Sequence, residues 1–201
     1  LKLILPEGKL LSANATAPMG NYSQPFPTVI DAFIKALEPA LPARVTAAHF
    51  GTFSGVRFRG RRANGTLFDC NDSGHGGWGA CASHDGAGPF RTMAHGDTRL
   101  IPIELQESMY QFRVEEIALR QDSGGPGRWR GGLGFDKQYV LLAPCELWAN
   151  FDRIGCPPWG VQGGKAGKSG QVLIFRNGKQ EPELLYKTEN CPLQTGDRVR
   201  M

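Results

Sequence analysis

The sequence predicts an α+β fold that is mainly antiparallel β-sheet, with one clear helix near residues 28–38 and long glycine-rich loops. Three observations indicate this fold. Only residues 28–41 repeat apolar side chains at helical spacing. Two Asn-Gly pairs, Asn64-Gly65 and Asn177-Gly178, each separate two β-type stretches and are typical of hairpin turns. The chain also holds 27 glycines and 14 prolines, a content that favours turns and loops over a helical bundle.

The helix is predicted from one apolar face and from its end signals. Its apolar positions are Ile30, Phe33, Ile34, Leu37 and Leu41. Thr28 is the expected N-cap, and Asp31 in the first turn suits the helix dipole. Two prolines, Pro39 and Pro42, predict that the helix ends near residue 37.

Strands are predicted where β-type residues alternate between turn signals. The predicted strands are residues 52–59, 66–70, 111–119, 135–142, 146–154, 172–176 and 183–186. Residues 71–88 are too long and too glycine-rich for a simple connector, so we expect a loop with a role of its own. No repeat or low-complexity linker divides the chain, which indicates one continuous domain.

Composition excludes several classes of function. A net charge of +4, spread along the chain apart from a basic cluster at residues 57–62, gives no reason to expect a nucleic-acid partner. No apolar run approaches the roughly 20 residues that span a bilayer, so no membrane role is expected. Five cysteines, an odd number without a dense framework, suit a reducing compartment and predict a cytoplasmic location. Glycosylation-type triplets begin at Asn14, Asn21, Asn64 and Asn71, but such triplets are common by chance in turns.

A serine-hydrolase reading rests on His49 and Ser123. Residues 46–49 and 122–126 resemble the histidine and serine segments of chymotrypsin-like proteases, and their order is correct. The spacing is too short for the two barrels of that fold, and Gln121 stands where those proteases carry an oxyanion-hole glycine. The alternative for His49 is a partly buried strand histidine without catalytic function.

Two further patterns are weak. Residues 163–169 end like a phosphate-binding loop, but the first required glycine is Gln162 and a strand follows instead of a helix. The remaining interpretations of these residues are a glycine-rich turn and a backbone nest that binds an anion. A second group could suggest zinc, although its spacing matches no strong pattern: Cys70, His75, Cys81 and His84.

The strongest signal is a set of glycine-rich motifs in a fixed order. The set comprises residues 6–8, 74–80 with 85–86, 101–104 with Glu107, 122–134, 158–160 with 163–164, and 196–197. Residues 122–134 read Asp-Ser-Gly-Gly-Pro-Gly-Arg-Trp-Arg-Gly-Gly-Leu-Gly and are the most specific piece. Over nearly its whole length the chain resembles the C-terminal part of the hydantoinase B/oxoprolinase family, with an apparent truncation at both ends.

Candidate site residues follow these motifs. We expect catalytic roles for Asp122, Arg128 and Arg130, because alternate arginines in an extended stretch share a face and could clamp a carboxylate or phosphate. Expected substrate-binding residues are Gly76, Gly77, Asp85, Glu104, Ser123, Gly124 and Gly125. The competing interpretation is structural: Asp122 pairs with one of the arginines, the glycines make turns, and Asp85 closes a loop.

The resemblance also implies an activity and partners. It implies part of an ATP-dependent, multi-subunit enzyme that hydrolyses a cyclic amide (a hydantoin, oxoproline or lactam) or carboxylates a ketone. ATP with Mg would be bound by a hydantoinase A-like subunit, giving a hetero-oligomer that acts on a small molecule. A divalent metal, Zn, Mn or Fe, would belong to the remainder of the B subunit, so no metal ligand is carried onto this chain. An assembly module without site residues is the third alternative.

Overall fold

A computed structural model describes residues 4–20, 24–95 and 98–201, and within them the chain forms two α-helices and nine β-strands. The helices are α1 (Phe26–Leu37) and α2 (Ile103–Met109). The strands are β1 (Gly55–Arg61), β2 (Leu67–Ser73), β3 (Phe112–Leu119), β4 (Phe135–Leu141), β5 (Cys145–Asn150), β6 (Val172–Phe175), β7 (Glu183–Leu185), β8 (Lys187–Leu193) and β9 (Arg198–Arg200). The predicted α+β class, dominated by antiparallel sheet, is confirmed.

The strands form two antiparallel sheets that share one core. The first sheet has the order β2-β1-β5-β8 and the second the order β3-β4-β9-β6-β7. Inward-facing side chains alternate with exposed ones, as in β4, where every second residue from Phe135 to Leu141 is buried. Both sheets contribute aromatic residues to the same cluster, including Phe58 from β1, Phe112 from β3 and Tyr139 from β4.

The predicted hairpins are confirmed, and the sequence patterns missed three elements. β1 and β2 pair across Asn64-Gly65, and β6 pairs with β7 after Gly178; both turn glycines have positive φ. The strand predicted to reach residue 154 ends at Asn150. Helix α2 and the strands β8 and β9 were not predicted. The triplet at Asn21 lies outside the described residues.

Helix α1 buries a carboxylate beside the apolar face that the sequence predicts. Asp31 is 1% exposed, whereas Ile30 and Phe33 are 40% and 48% exposed. The Asp31 carboxylate accepts two hydrogen bonds from the backbone N–H of His49, and the His49 Nδ1 atom lies 2.9 Å from it. These contacts therefore fix α1 to the loop around His49. The apolar positions near the end of the helix are half-buried, so only the part of the apolar face around Ile30 and Phe33 points outward.

The start of α1 also differs from the prediction. The helix begins at Phe26, directly after Pro25, and no side chain caps it. Thr28, the expected N-cap, lies inside the first turn and donates its hydroxyl hydrogen to the Gly51 carbonyl oxygen over 3.2 Å. Proline at the start of a helix needs no backbone donor there, which explains the earlier beginning.

A buried polar network joins α2 to both sheets. The Lys137 ammonium lies 2.6 Å from the Asp72 carboxylate and donates to the Gln106 side chain over 2.7 Å. Gln106 and the Tyr139 hydroxyl both donate to the same Asp72 oxygen. Burial opposes ionisation of Asp72, but the Lys137 charge and the hydrogen bonds from Lys137, Tyr139 and the Ser73 N–H together lower the pKa of this carboxyl.

Glycines bring three loops into backbone contact beside the sheets. A Cβ atom on Gly77 would lie 1.8 Å from the Gly132 carbonyl oxygen, and one on Gly132 would lie 2.1 Å from the Ala87 carbonyl oxygen. Gly79 faces the Ala47 carbonyl oxygen in the same way, at 1.7 Å. Backbone hydrogen bonds then connect the layers, so that the loops form a continuous wall without side chains between them.

Neither helix in the described part of the chain has the length and apolar character that a membrane-crossing helix requires.

Replacing Lys137 with methionine is expected to lower the free energy of unfolding at pH 7 by about 3–5 kcal/mol, because it leaves the buried Asp72 carboxylate without its counter-charge. The lowered pKa of Asp72 stabilises the wild type above the unfolded carboxyl pKa, and that contribution is lost as the pH falls through the folded pKa. In the variant, Asp72 can be buried in its neutral form at low pH. The difference in free energy of unfolding between wild type and variant should therefore become smaller towards pH 4.5. Urea unfolding at both pH values measures this, and a pH-independent deficit contradicts it.

Replacing Gly77 with alanine is expected to destabilise the fold by about 3 kcal/mol or more, because the added methyl group meets the Gly132 backbone. The control is Gly155→Ala, where nothing lies within 4 Å of the added atom and a change below about 0.5 kcal/mol is expected. Equal unfolding midpoints for the two variants would show that the loops do not pack as described.

Candidate functional site

The glycine-rich loops and the edges of the sheets enclose a cavity of about 440 Å³. Its walls come from residues 42–54, 74–82, 120–136 and 151–171. Three of these segments carry the motifs singled out in the sequence. These three motif segments therefore converge on one cavity, although they are far apart along the chain. The motifs at residues 6–8, 101–104 and 196–197 do not line it.

Six of the ten predicted site residues line this cavity: Gly76, Gly77, Ser123, Gly124, Gly125 and Arg128. Gly124 and Gly125 pack against backbone, since a Cβ on either would lie 2.1 or 2.4 Å from a carbonyl oxygen of Gly131 or Lys165. The Arg128 side chain is exposed and forms no hydrogen bond or ion pair within the described residues. Among the three predicted catalytic residues, Arg128 is thus the one that lines the cavity, and its guanidinium has no partner in the described structure.

The other four predicted site residues lie outside the cavity wall. Arg130 is exposed, and its backbone N–H donates to the Asp85 carboxylate over 2.7 Å. This bond ties residues 74–88 to residues 122–134, which we call the glycine-arginine loop. Asp85 thus has the loop-closing role that the structural interpretation gave it. Asp122 has a φ of 55° and is exposed, and it pairs with neither arginine in the described structure. Glu104 is exposed in the first turn of α2.

The charged side chains of the cavity wall are mostly cationic. The cations are Arg120, Arg128, Arg153, Lys165 and Lys168. Asp136 is the one acidic residue among the lining residues, and it forms an ion pair with Arg200, which lies outside the wall. The electrostatic potential of the cavity therefore favours anionic groups.

Aromatic rings give the cavity apolar surfaces between these cations. Trp78, Trp129 and Trp159 line it together with Phe50 and others. The Trp129 indole N–H donates to the Ala82 carbonyl oxygen over 3.0 Å, which fixes that ring between two of the loops. A ligand with both an anionic group and a small apolar body fits this combination.

Arg153 is the site residue that the sequence reasoning missed. Its side chain is 3% exposed, its φ is 62°, and its guanidinium lies 4.3 Å from the centroid of the Trp159 ring. Its Nη2 atom is 3.6 Å from the Asp31 carboxylate. Burial lowers the pKa of Arg153, while the Asp31 charge opposes that effect. No sequence signal marked this residue, because it stood within a predicted strand.

Two titratable groups in the wall have shifted pKa values. Burial and then the Arg91 charge lower the pKa of His75 to about 4, so its imidazole is neutral at pH 7. The hydrogen bond with the Ser83 hydroxyl is the largest of the effects that lower the pKa of Cys81 to about 7. The two groups are a neutral imidazole and a partly ionised thiol at opposite ends of residues 75–81.

The serine-hydrolase arrangement is absent from the described structure. The Ser123 hydroxyl donates to the Arg120 carbonyl oxygen over 2.7 Å and accepts from the Gly134 N–H over 2.8 Å. Both bonds hold the glycine-arginine loop together. His49 bonds to Asp31 and is outside the cavity wall. Ser123 is therefore structural, and the alternative based on His49 and Ser123 is not supported.

The other two patterns also have structural explanations. In residues 163–169, the backbone N–H groups of Lys165, Gly167 and Lys168 donate to carbonyl oxygens of neighbouring loops, so they form no free nest. Cys70 is fully buried in the core. Within the described residues, no three His, Cys, Asp or Glu side chains lie together as metal ligands would.

Comparisons with known proteins agree with the motif pattern. An uncharacterised protein of Methanocaldococcus jannaschii is 34% identical over 203 residues, which cover 100% of this chain and 34% of that protein. The caprolactamase subunit beta of Pseudomonas jessenii is 35% identical over 220 residues, with 96% of this chain and 35% of that subunit covered. The chain thus spans about a third of the length of these curated relatives.

A solved structure and a family model extend the comparison. The crystal structure of the ATP-dependent caprolactamase from Pseudomonas jessenii matches with a TM-score of 0.84 at 25% identity, covering 98% of this chain and 36% of that one. The family model described as Hydantoinase B/oxoprolinase matches residues 1–201. Because the family model matches the whole given sequence and three of the motif segments line one cavity, the chain belongs to the hydantoinase B/oxoprolinase family.

Proposed function

We propose that this chain forms part of the B-type subunit of an ATP-dependent enzyme that hydrolyses a cyclic amide. The observation that carries the proposal is the convergence of three of the motif segments on one cationic, aromatic-walled cavity. Hydrolysis is favoured over ketone carboxylation because a relative that is 35% identical over nearly the whole chain is a caprolactamase subunit. A lactam ring has the size and the apolar body that the cavity accepts.

Arg128 is the group in this chain that we place nearest the chemistry. Hydrolysis of an amide develops negative charge on the carbonyl oxygen, and a guanidinium without another partner can stabilise that charge. Arg128 lines the cavity and is unpaired in the described structure, whereas Arg130 and Asp122 lie outside the wall. For Asp122 and Arg130 we propose a positioning role, through the shape of the loop.

The remaining components of the enzyme are proposed to lie outside this chain. ATP with Mg is assigned to a hydantoinase A-like partner, and a divalent metal to the remainder of the B subunit. The metal would polarise the substrate oxygen when bound. All five cysteines are free, which supports a reducing compartment such as the cytoplasm.

Replacing Arg128 with alanine in the assembled enzyme is expected to lower kcat for ATP-dependent lactam hydrolysis by at least about 10-fold, because a charge-stabilising group is lost. The assay is steady-state ring opening with ATP and the companion subunit present. Arg113→Ala, which removes an exposed cation from β3, is the control and should keep wild-type turnover. Unchanged kcat in the Arg128 variant would favour the assembly-module alternative.

The outer face of α1 is the surface we assign to the remainder of the B subunit. Phe26, Val29, Ile30 and Phe33 are exposed on this helix. Nearly half of the exposed large apolar side chains in the described residues precede residue 42. An apolar patch of this kind is typical of a contact surface. Relatives about three times as long as this chain contain the additional polypeptide that could cover it.

Hydrogen exchange of α1 should therefore be slower in the full-length subunit than in the 201-residue chain. The double change Ile30→Glu and Phe33→Glu should abolish that protection without destabilising the isolated chain, since both side chains are already exposed. Leu119→Glu, an exposed apolar position on β3, serves as the control. Equal exchange of α1 in both proteins, or protection only on formation of a dimer, would rule out the proposed occupant.

A further inference from the structure

The guanidinium of Arg153 has fewer partners than its burial requires. Its Nη2 atom is 3.5 Å from the His49 carbonyl oxygen and 3.6 Å from Asp31, both at the long limit of such contacts. Its Nε and Nη1 atoms are buried without any hydrogen-bond partner in the described structure. Unpaired buried donors are rare in folded proteins because they lose their hydrogen bonds to water without a replacement, and the loss is larger for a charged group.

Asp31 does not fully neutralise this cation. Its carboxylate is shared with His49, whose backbone N–H donates to it over 3.2 and 3.3 Å and whose Nδ1 lies 2.9 Å away. These contacts are all shorter than the one to Arg153. The buried guanidinium therefore retains both free donors and uncompensated charge.

The surroundings of Arg153 point to the missing partner. Arg153 belongs to the cavity wall and lies against the ring of Trp159, another wall residue. The other ionised side chains of the wall are cations, apart from Asp136, which is paired with Arg200. An anionic oxygen that reached Arg153 through the cavity would meet no free carboxylate.

We propose that Arg153 is a binding residue for an oxyanion, a carboxylate or phosphate carried on a small ligand in the cavity. The anion would accept from the free guanidinium donors, while the ring of Trp159 keeps the guanidinium plane in place. Lys165 and Lys168, exposed at the wall, would attract the ligand from solvent. The inference rests on the proposed function only in treating this cavity as the substrate site.

Isothermal titration of the 201-residue chain with inorganic phosphate, and separately with acetate, tests the proposal without nucleotide or partner. Saturable binding of at least one anion is expected, and the ratio of the two affinities distinguishes a phosphate-bearing from a carboxylate-bearing ligand. Arg153→Gln should weaken that binding at least 10-fold. Arg113→Gln removes the same charge from an exposed site and should leave the affinity within 2-fold of wild type.

The variant Asp31→Asn separates binding from a purely structural role. Removing the competing carboxylate should tighten anion binding at least 3-fold, the opposite direction to Arg153→Gln, because Arg153 is then more completely available. Loss of binding in both variants would indicate that the pair only shapes the cavity. The absence of saturable binding to the wild type, or an unchanged affinity in Arg153→Gln, overturns the proposal even if ATP-dependent hydrolysis is established.

Discussion

Close contact between backbones is the constraint on which the site depends. The loops around Gly77, Gly86 and Gly132 stack so tightly that even a methyl group would meet a carbonyl oxygen. Their N–H groups bond across the layers, as from Gly132 to the Trp78 carbonyl oxygen and from Gly86 to that of Arg130. No side chains are needed between the loops of this wall. The chemical character of the cavity is therefore set by the few aromatic and cationic side chains that line it.

Two buried ion pairs contribute to this arrangement in contrasting ways. Asp72 and Lys137 each form more than one short hydrogen bond, and together they hold α2 against both sheets. The contact between Asp31 and Arg153 is longer, and the Nε and Nη1 donors of Arg153 have no hydrogen-bond partner in the described structure. A buried ion pair whose hydrogen-bonding groups all have partners fixes the structure. A buried pair beside a cavity that still has unpaired donors can in addition bind a ligand.

Much of the fold could be predicted because it follows local rules. Alternating side chains and the two Asn-Gly turns located most strands, and the glycine-arginine run located one cavity wall. The rest depends on distant contacts. Helical periodicity identified α1 but did not indicate that Asp31 is buried, because the partners of this carboxylate, His49 and Arg153, lie outside the helix and far along the chain. Arg153 carried no local signal, and Lys165 and Lys168 matched a phosphate-loop pattern that the fold does not form.

The left-handed backbone at Arg153 has a consequence for redesign of this protein. Glycine adopts such a φ value without steric cost, and asparagine does so more readily than arginine. Exchanging this arginine for glycine would thus relax the chain at that point and remove two orphan donors from the interior. Selection for heat-resistant variants would therefore favour substitution of this arginine. The stabilised variants would lose the charge with which we propose the cavity binds an anion.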